Sequence, residues 1–127
     1  MLLALALAMA DPVAIPQGAA LTEAVRARDA EFFDLAFEGC DPERLRTMVA
    51  DDFEMYHDRE GVVARSAGDF IADYARSCRE RQAPNAWRSR RALVADSLNV
   101  HPVPGYGAIE DGVLVLRVDL RPPDQRA

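Results

Sequence analysis

The stretch that decides the fold spans residues 32–58, FFDLAFEGCDPERLRTMVADDFEMYHD. It begins inside a run of apolar residues at helical spacing, which predicts a first helix over residues 21–39. Asp41 followed directly by Pro42 is typical of the start of a second, short helix, because Asp caps free N–H groups and Pro has none to satisfy. Apolar and polar residues alternate over residues 52–57, which predicts a strand.

The chain should then turn back and enter a third helix. Residues 58–61, DREG, are typical of a turn, and residues 62–65 of a short return strand. Ser66 and Asp69 have the spacing of a capping box, which marks the start of the third helix. The residues that would form its inner face are Phe70, Ile71, Tyr74, Ala75 and Cys78.

The last third of the chain has the pattern of strands. We expect them over residues 88–95, 97–103, 106–109 and 113–120, with a hairpin turn at Asp111-Gly112. Helices followed by antiparallel strands predict an α+β fold, in which one curved sheet packs on three helices. Such a sheet would form a cone that encloses a pocket.

Composition limits the classes of function. A chain of 127 residues with 50% hydrophobic and 28% charged residues favours one globular domain, placed at residues 21–120. The net charge of -6 disfavours nucleic acid as a partner. The two histidines lack a metal-binding spacing, and GYGAIEDG lacks the spacing of a dinucleotide loop. We therefore expect neither metal nor cofactor.

The first ten residues, MLLALALAMA, have the pattern of a secretion signal. An apolar run ends in a small-x-small cleavage pattern, although no basic residue precedes it. The run is shorter than the ~20 residues that span a bilayer, so no membrane span is expected. Residues 11–20 would be a flexible lead-in and residues 121–127 a tail. The pattern predicts a periplasmic or secreted protein, and a cytoplasmic one if the run is not a signal.

Two cysteines, Cys40 and Cys78, leave two alternatives open. An even number in an exported protein permits a disulfide. Otherwise both would be buried free thiols.

Three segments together resemble the nuclear transport factor 2-like superfamily, in particular its SnoaL-like branch (domain of unknown function 4440). They are the opening stretch, GVVARSAGDFIADYARSC at residues 61–78 and SLNVHPVPGYGAIEDG at residues 97–112. The resemblance implies a conical α+β barrel of the cystatin-like, ketosteroid-isomerase-like kind, with a deep pocket and often a dimer formed through the sheet. Its members include dehydratases, isomerases, cyclases and non-catalytic binding domains, so it does not fix an activity.

The segment after Gly112 departs from the family pattern, which usually continues into a long strand rich in aromatic residues. Either residues 113–120 replace that strand or the sheet lacks one. We therefore expect a copy that is truncated or altered at its C-terminus, with an unpaired sheet edge.

His57 and Asp29 are the candidate catalytic residues. His57 shares a strand face with Phe53 and Met55, so it should point inward, as a general acid or base or as a neutral core histidine. Asp29 lies on the apolar stripe of the first helix, where a carboxylate needs a partner. That partner could be His57 or an arginine such as Arg44 or Arg91. The resemblance favours His57, because scytalone dehydratase uses an Asp on a helix together with histidines in its pocket.

The sequence supports three functions. The first is a binding domain for a small molecule in an apolar pocket; the second is an acid–base dehydratase, isomerase or cyclase acting on a carbonyl-bearing ring through Asp29 and His57. The third is an interaction module that forms a homodimer through the sheet. Candidate ligand-binding residues are Phe33, Phe53, Met55, Trp87, His101 and Tyr106.

Overall fold

The computed structural model describes residues 14–119. The predicted signal at residues 1–10, the start of the lead-in and the tail at residues 121–127 lie outside the described residues. Within the lead-in, the first helix already begins at Gly18, three residues earlier than predicted.

Three helices and six strands make up the described part of the chain. The helices are α1 (Gly18–Phe37), α2 (Pro42–Arg46) and α3 (Ala67–Arg81); the strands are β1 (Met55–His57), β2 (Gly61–Ala64), β3 (Arg88–Leu93), β4 (Asn99–Val103), β5 (Gly107–Asp111) and β6 (Leu114–Asp119). The α+β class is confirmed. The strands form three separate antiparallel pairs, β1–β2, β4–β5 and β3–β6, which do not close into a barrel.

Local hydrogen bonds fix both predicted helix starts. The Asp41 carboxylate accepts a bond from the Arg44 N–H at 2.9 Å, and Pro42 follows it in α2. The Ser66 hydroxyl accepts one from the Asp69 N–H at 3.1 Å at the start of α3. These bonds satisfy N–H groups that a helix leaves free at its first turn.

The core lies where α1, α2 and α3 meet. Leu45 of α2 is completely buried against Tyr74 and Cys78 of α3. The Tyr74 hydroxyl donates to the Leu35 carbonyl at 2.5 Å and accepts from the Asp41 N–H at 3.2 Å, so it satisfies backbone at the corner between α1 and α2. The predicted inner face of α3 is confirmed by this packing.

A disulfide joins Cys40 in the α1–α2 corner to Cys78 in α3, with the two Cα atoms 5.6 Å apart. The Arg81 side chain reaches the same corner. It donates to the carbonyls of Ala36, Phe37 and Gly39 at 2.6–3.0 Å. These bonds satisfy carbonyls that the end of α1 leaves free.

The predicted hairpin at Asp111-Gly112 is wrong. β5 pairs back with β4 through a turn in which Gly105 has φ +73° and the Tyr106 N–H donates to the Val103 carbonyl. The chain then crosses to β3 at Gly112, where an added Cβ would lie 3.1 Å from a Leu93 methyl. Asp111-Gly112 therefore marks a turn of the chain, but the two strands that it connects, β5 and β6, do not pair with each other.

The last described strand, β6, pairs with β3 along its whole length, from Arg88 opposite Asp119 to Leu93 opposite Leu114. The predicted strand over residues 113–120 therefore belongs to a sheet, with Leu120 outside the described residues. Within residues 14–119, no strand pairs with the other edge of β6.

Candidate functional site

A cavity in the described part of the chain lies between α1, the residues that follow α2, and β5. Its volume is about 700 Å³. Its apolar walls are Ala24, Val25, Phe32, Phe33, Met48 and Ala108, and its polar groups are Arg28, Asp29, Thr47 and Glu110. A volume of roughly 300–1,000 Å³, mainly apolar walls and a few polar groups are typical of a small-molecule site.

Asp29 forms a buried ion pair at the edge of this cavity. Its two carboxylate oxygens accept bonds from Arg91 of β3 at 2.9 and 3.0 Å. The Arg91 guanidinium also stacks on the Phe33 ring, 3.5 Å from its centroid. Only 6% of the Asp29 side chain and 9% of the Arg91 side chain are exposed. The pair therefore joins α1 to β3 and neutralises a carboxylate that burial would otherwise penalise.

Glu110 brings a second carboxyl to the cavity from β5. Partial burial raises its pKa, the nearby negative charge of Asp29 raises it further, and the positive charge of Arg91 acts in the opposite direction. Because Arg91 already engages both oxygens of Asp29, Glu110 is the cavity carboxyl better placed to accept a hydrogen bond from a ligand.

The structure does not form the predicted pair of Asp29 and His57, because Asp29 takes the alternative arginine partner, Arg91. His57 does not point inward: 46% of its side chain is exposed, and its Nδ1 lies 3.2 Å from Asp58 Oδ1. The physical reason is the shortness of β1, which pairs only with β2. Burial in this hairpin is concentrated at Ala64, beside α3, so its tip has no helix over it.

Of the six predicted ligand-binding residues, Phe33 alone lines the main cavity. Phe53 packs on Phe70 in the helical layer, with ring centroids 4.8 Å apart. Met55 and Tyr106 are exposed, and Trp87 lies beside a separate, smaller depression. His101 lies on β4, where its Nε2 is 2.6 Å from Asp111 Oδ2 on β5. The aromatic residues of the predicted pocket are therefore dispersed.

Sequence reasoning missed the β5 side of the cavity. Ala108 and Glu110 are two apart, so they lie on one face of a strand, a signal that was present in GAIED. The predicted strand over residues 106–109 ends before the Asp111-Gly112 turn signal, so it leaves out Glu110. The sequence predicts Arg91 only as one alternative partner of Asp29, because the packing of β3 on α1 joins residues 62 positions apart.

No helix within residues 14–119 is long and apolar enough to cross a membrane. The same residues hold no group of three or more His, Cys, Asp or Glu placed to bind a metal ion. The chain matches no protein-family model, no curated protein and no solved structure.

Proposed function

We propose that the protein binds a small molecule with an apolar ring system in the cavity between α1 and β5. The observation that carries the proposal is a cavity of about 700 Å³ with six apolar side chains in its walls. The perpendicular rings of Phe32 and Phe33, with centroids 5.1 Å apart, offer both a face and an edge to an aromatic ligand.

The polar groups of the cavity favour a ligand with a hydrogen-bond donor or a positive charge. Asp29 and Glu110 are acidic, whereas Arg28 is mostly exposed and bonded to Glu31 at 3.1 Å. A ligand carboxylate would meet Glu110 without a free cation beside it. An amine or hydroxyl would instead donate to Glu110 while its rings contact the apolar walls.

Catalysis by the alternative acid–base pair has less support. The Asp29 oxygens are occupied by Arg91, and His57 is exposed on the hairpin. A general base must lie within hydrogen-bond reach of the proton that it removes. Binding without turnover therefore agrees better with the contacts.

The proposal also covers the fold family and the cellular compartment of the protein. The order of helices and strands supports a fold of the nuclear transport factor 2-like kind, in an open form whose three strand pairs do not close into a barrel. The disulfide favours a periplasmic or secreted location, because disulfides persist in oxidising compartments.

A thermal-shift series on one bicyclic aromatic skeleton tests the binding proposal. The amine should raise Tm, the alcohol less, and the carboxylic acid least. Ala24→Phe fills the cavity from an exposed helical position and should abolish the shift, whereas Ala27→Phe, outside the cavity lining, should keep it. Equal shifts in both variants, or none with any compound at millimolar concentration, would overturn the proposal.

A homodimer through the sheet is a second candidate, favoured by the exposure of β6. Leu114, Leu116 and Val118 lie on the face shared with Leu93 and Arg91, yet are 42–56% exposed. Burying this stripe against a second copy would stabilise a dimer. Sedimentation should show a dimer that Leu116→Lys dissociates and that Arg90→Lys, on the opposite face, leaves intact. A monomer at millimolar concentration would exclude it.

A further inference from the structure

A small cavity, separate from the two described above, lies against the disulfide. It has a volume of about 170 Å³ and is lined by both cysteines and by Arg81, Arg88 and Arg90. Glu38 faces the same space, and Asp119 lies 3.6 Å from Arg90 Nε, so three arginines face two carboxylates and the site is basic in a chain whose net charge is -6. A negatively charged small molecule is therefore favoured here, although the protein as a whole repels it.

The two sulfur atoms have different surroundings. Cys40 is exposed, whereas Cys78 is only 2% exposed. The Arg81 guanidinium lies 3.4 Å from the Cys78 sulfur and is held there by its bonds to the α1 carbonyls. A cation beside a sulfur stabilises its thiolate, and a stabilised thiolate is the better leaving group in disulfide exchange.

We propose that the Cys40–Cys78 disulfide is a site of thiol–disulfide exchange with an anionic low-molecular-weight thiol. The thiolate of that molecule attacks the exposed Cys40 sulfur and forms a mixed disulfide there. The bond to Cys78 breaks, and its electron pair leaves with Cys78 as a thiolate beside Arg81. Attack of this thiolate on the mixed disulfide reverses the reaction and expels the small thiol, so no other oxidant or reductant is needed.

Exchange would loosen the corner between α1 and α2. The corner is held on α3 by the disulfide, by the Tyr74 hydroxyl and by Arg81. The opened form keeps the last two contacts, so the fold should persist while the mixed disulfide is present. The site is then a reversible modification site rather than a point of unfolding.

The experiment treats the native, oxidised chain with reduced glutathione, which is anionic, or with cysteamine, which is cationic. Samples are stopped in acid at successive times, and the adduct is located by peptide mass mapping. We expect it on Cys40, with glutathione reacting at least about threefold faster per thiolate than cysteamine. In the double variant Arg88→Gln/Arg90→Gln this preference should disappear, whereas Arg59→Gln, at the β1–β2 turn, should keep it.

The role of Arg81 is tested separately, because its replacement also removes backbone bonds. Arg81→Gln should slow exchange with both thiols by about tenfold, since the leaving thiolate loses its cation. Circular dichroism checks that Arg81→Gln is folded. If Arg81→Gln is unfolded, the proposal is decided by whether Arg88→Gln/Arg90→Gln loses the preference for glutathione. An adduct on Cys78, no preference for glutathione in the native chain, or exchange that occurs only in urea would overturn it.

Discussion

Breaking the Asp29–Arg91 pair should destabilise the protein more than any change to a surface charge. Asp29→Asn keeps the shape of the side chain but removes the carboxylate that is bonded to the buried Arg91 guanidinium and leaves only the more distant charge of Glu110. Arg91→Met does the reverse and leaves the Asp29 carboxylate buried. Since both side chains are more than nine-tenths buried, each single change should cost about 3–5 kcal/mol. For a chain of this size that is a fall in Tm of roughly 10–20 °C.

The double variant Asp29→Asn/Arg91→Met distinguishes an ion pair from simple packing. It removes both charges, so its cost should be several kcal/mol smaller than the sum of the two single costs. Urea unfolding followed by circular dichroism gives all three values. If a single variant fails to fold, recovery of a cooperative transition in the double variant is the same result.

Two substitutions serve as matched controls. Asp34→Asn changes an exposed acid on α1, and Arg90→Met changes an arginine on β3 whose side chain is 65% exposed. Each should cost less than about 1 kcal/mol. Single-variant costs at Asp29 and Arg91 no larger than these, or costs that add in the double variant, would refute the ion-pair reasoning.

Three further predictions concern the core, the disulfide and pH. Leu45→Ala, at a completely buried position, should cost about 2–5 kcal/mol in urea unfolding, and a cost below 1 kcal/mol would mean that this core is loosely packed. Replacing both cysteines by Ala opens a loop with a sequence separation of 38 and should cost about 4 kcal/mol, measured against the oxidised chain. Hydrogen bonds from Asn99 and His101 lower the pKa of Asp111, so this group contributes stability above its unfolded value near 3.8 and loses it as pH falls through the folded pKa. Urea unfolding of Asp111→Asn should therefore show a deficit at about pH 5 that shrinks as the solution is acidified, and a deficit independent of pH would contradict this.

The helices could be predicted from the sequence because local contacts determine them. Asp41 and Ser66 bond to N–H groups three residues away, so their spacing alone identifies each helix start. Strand pairing depends on distant residues. Nothing close to Asp111-Gly112 shows that β5 pairs with β4 or that β6 crosses to β3.

In the candidate site, too, local features could be predicted and contacts between distant residues could not. Asp29 could be recognised as inward-facing from its place on an apolar stripe, and the structure buries it. Its partner could not be chosen, because Arg91 reaches it only when β3 packs on α1, a contact between residues 62 positions apart in the sequence. Strand alternation predicts an inward-facing His57, but this rule holds only where a layer covers the strand.

The ion pair at Asp29 also links stability to ligand binding. α1 contacts both β3 and β4, whereas the strand pairs β3–β6 and β4–β5 share no ladder. The position of β5, and with it Ala108 and Glu110, relative to α1 therefore depends on contacts made by α1 and on the bonds between Ser97 and Val113 rather than on a continuous sheet. Asp29 makes one of those contacts and lines the cavity as well. A folded variant that lacks the pair should consequently lose the cavity's shape before it loses its helices, and ligand affinity should fall more steeply than helical content.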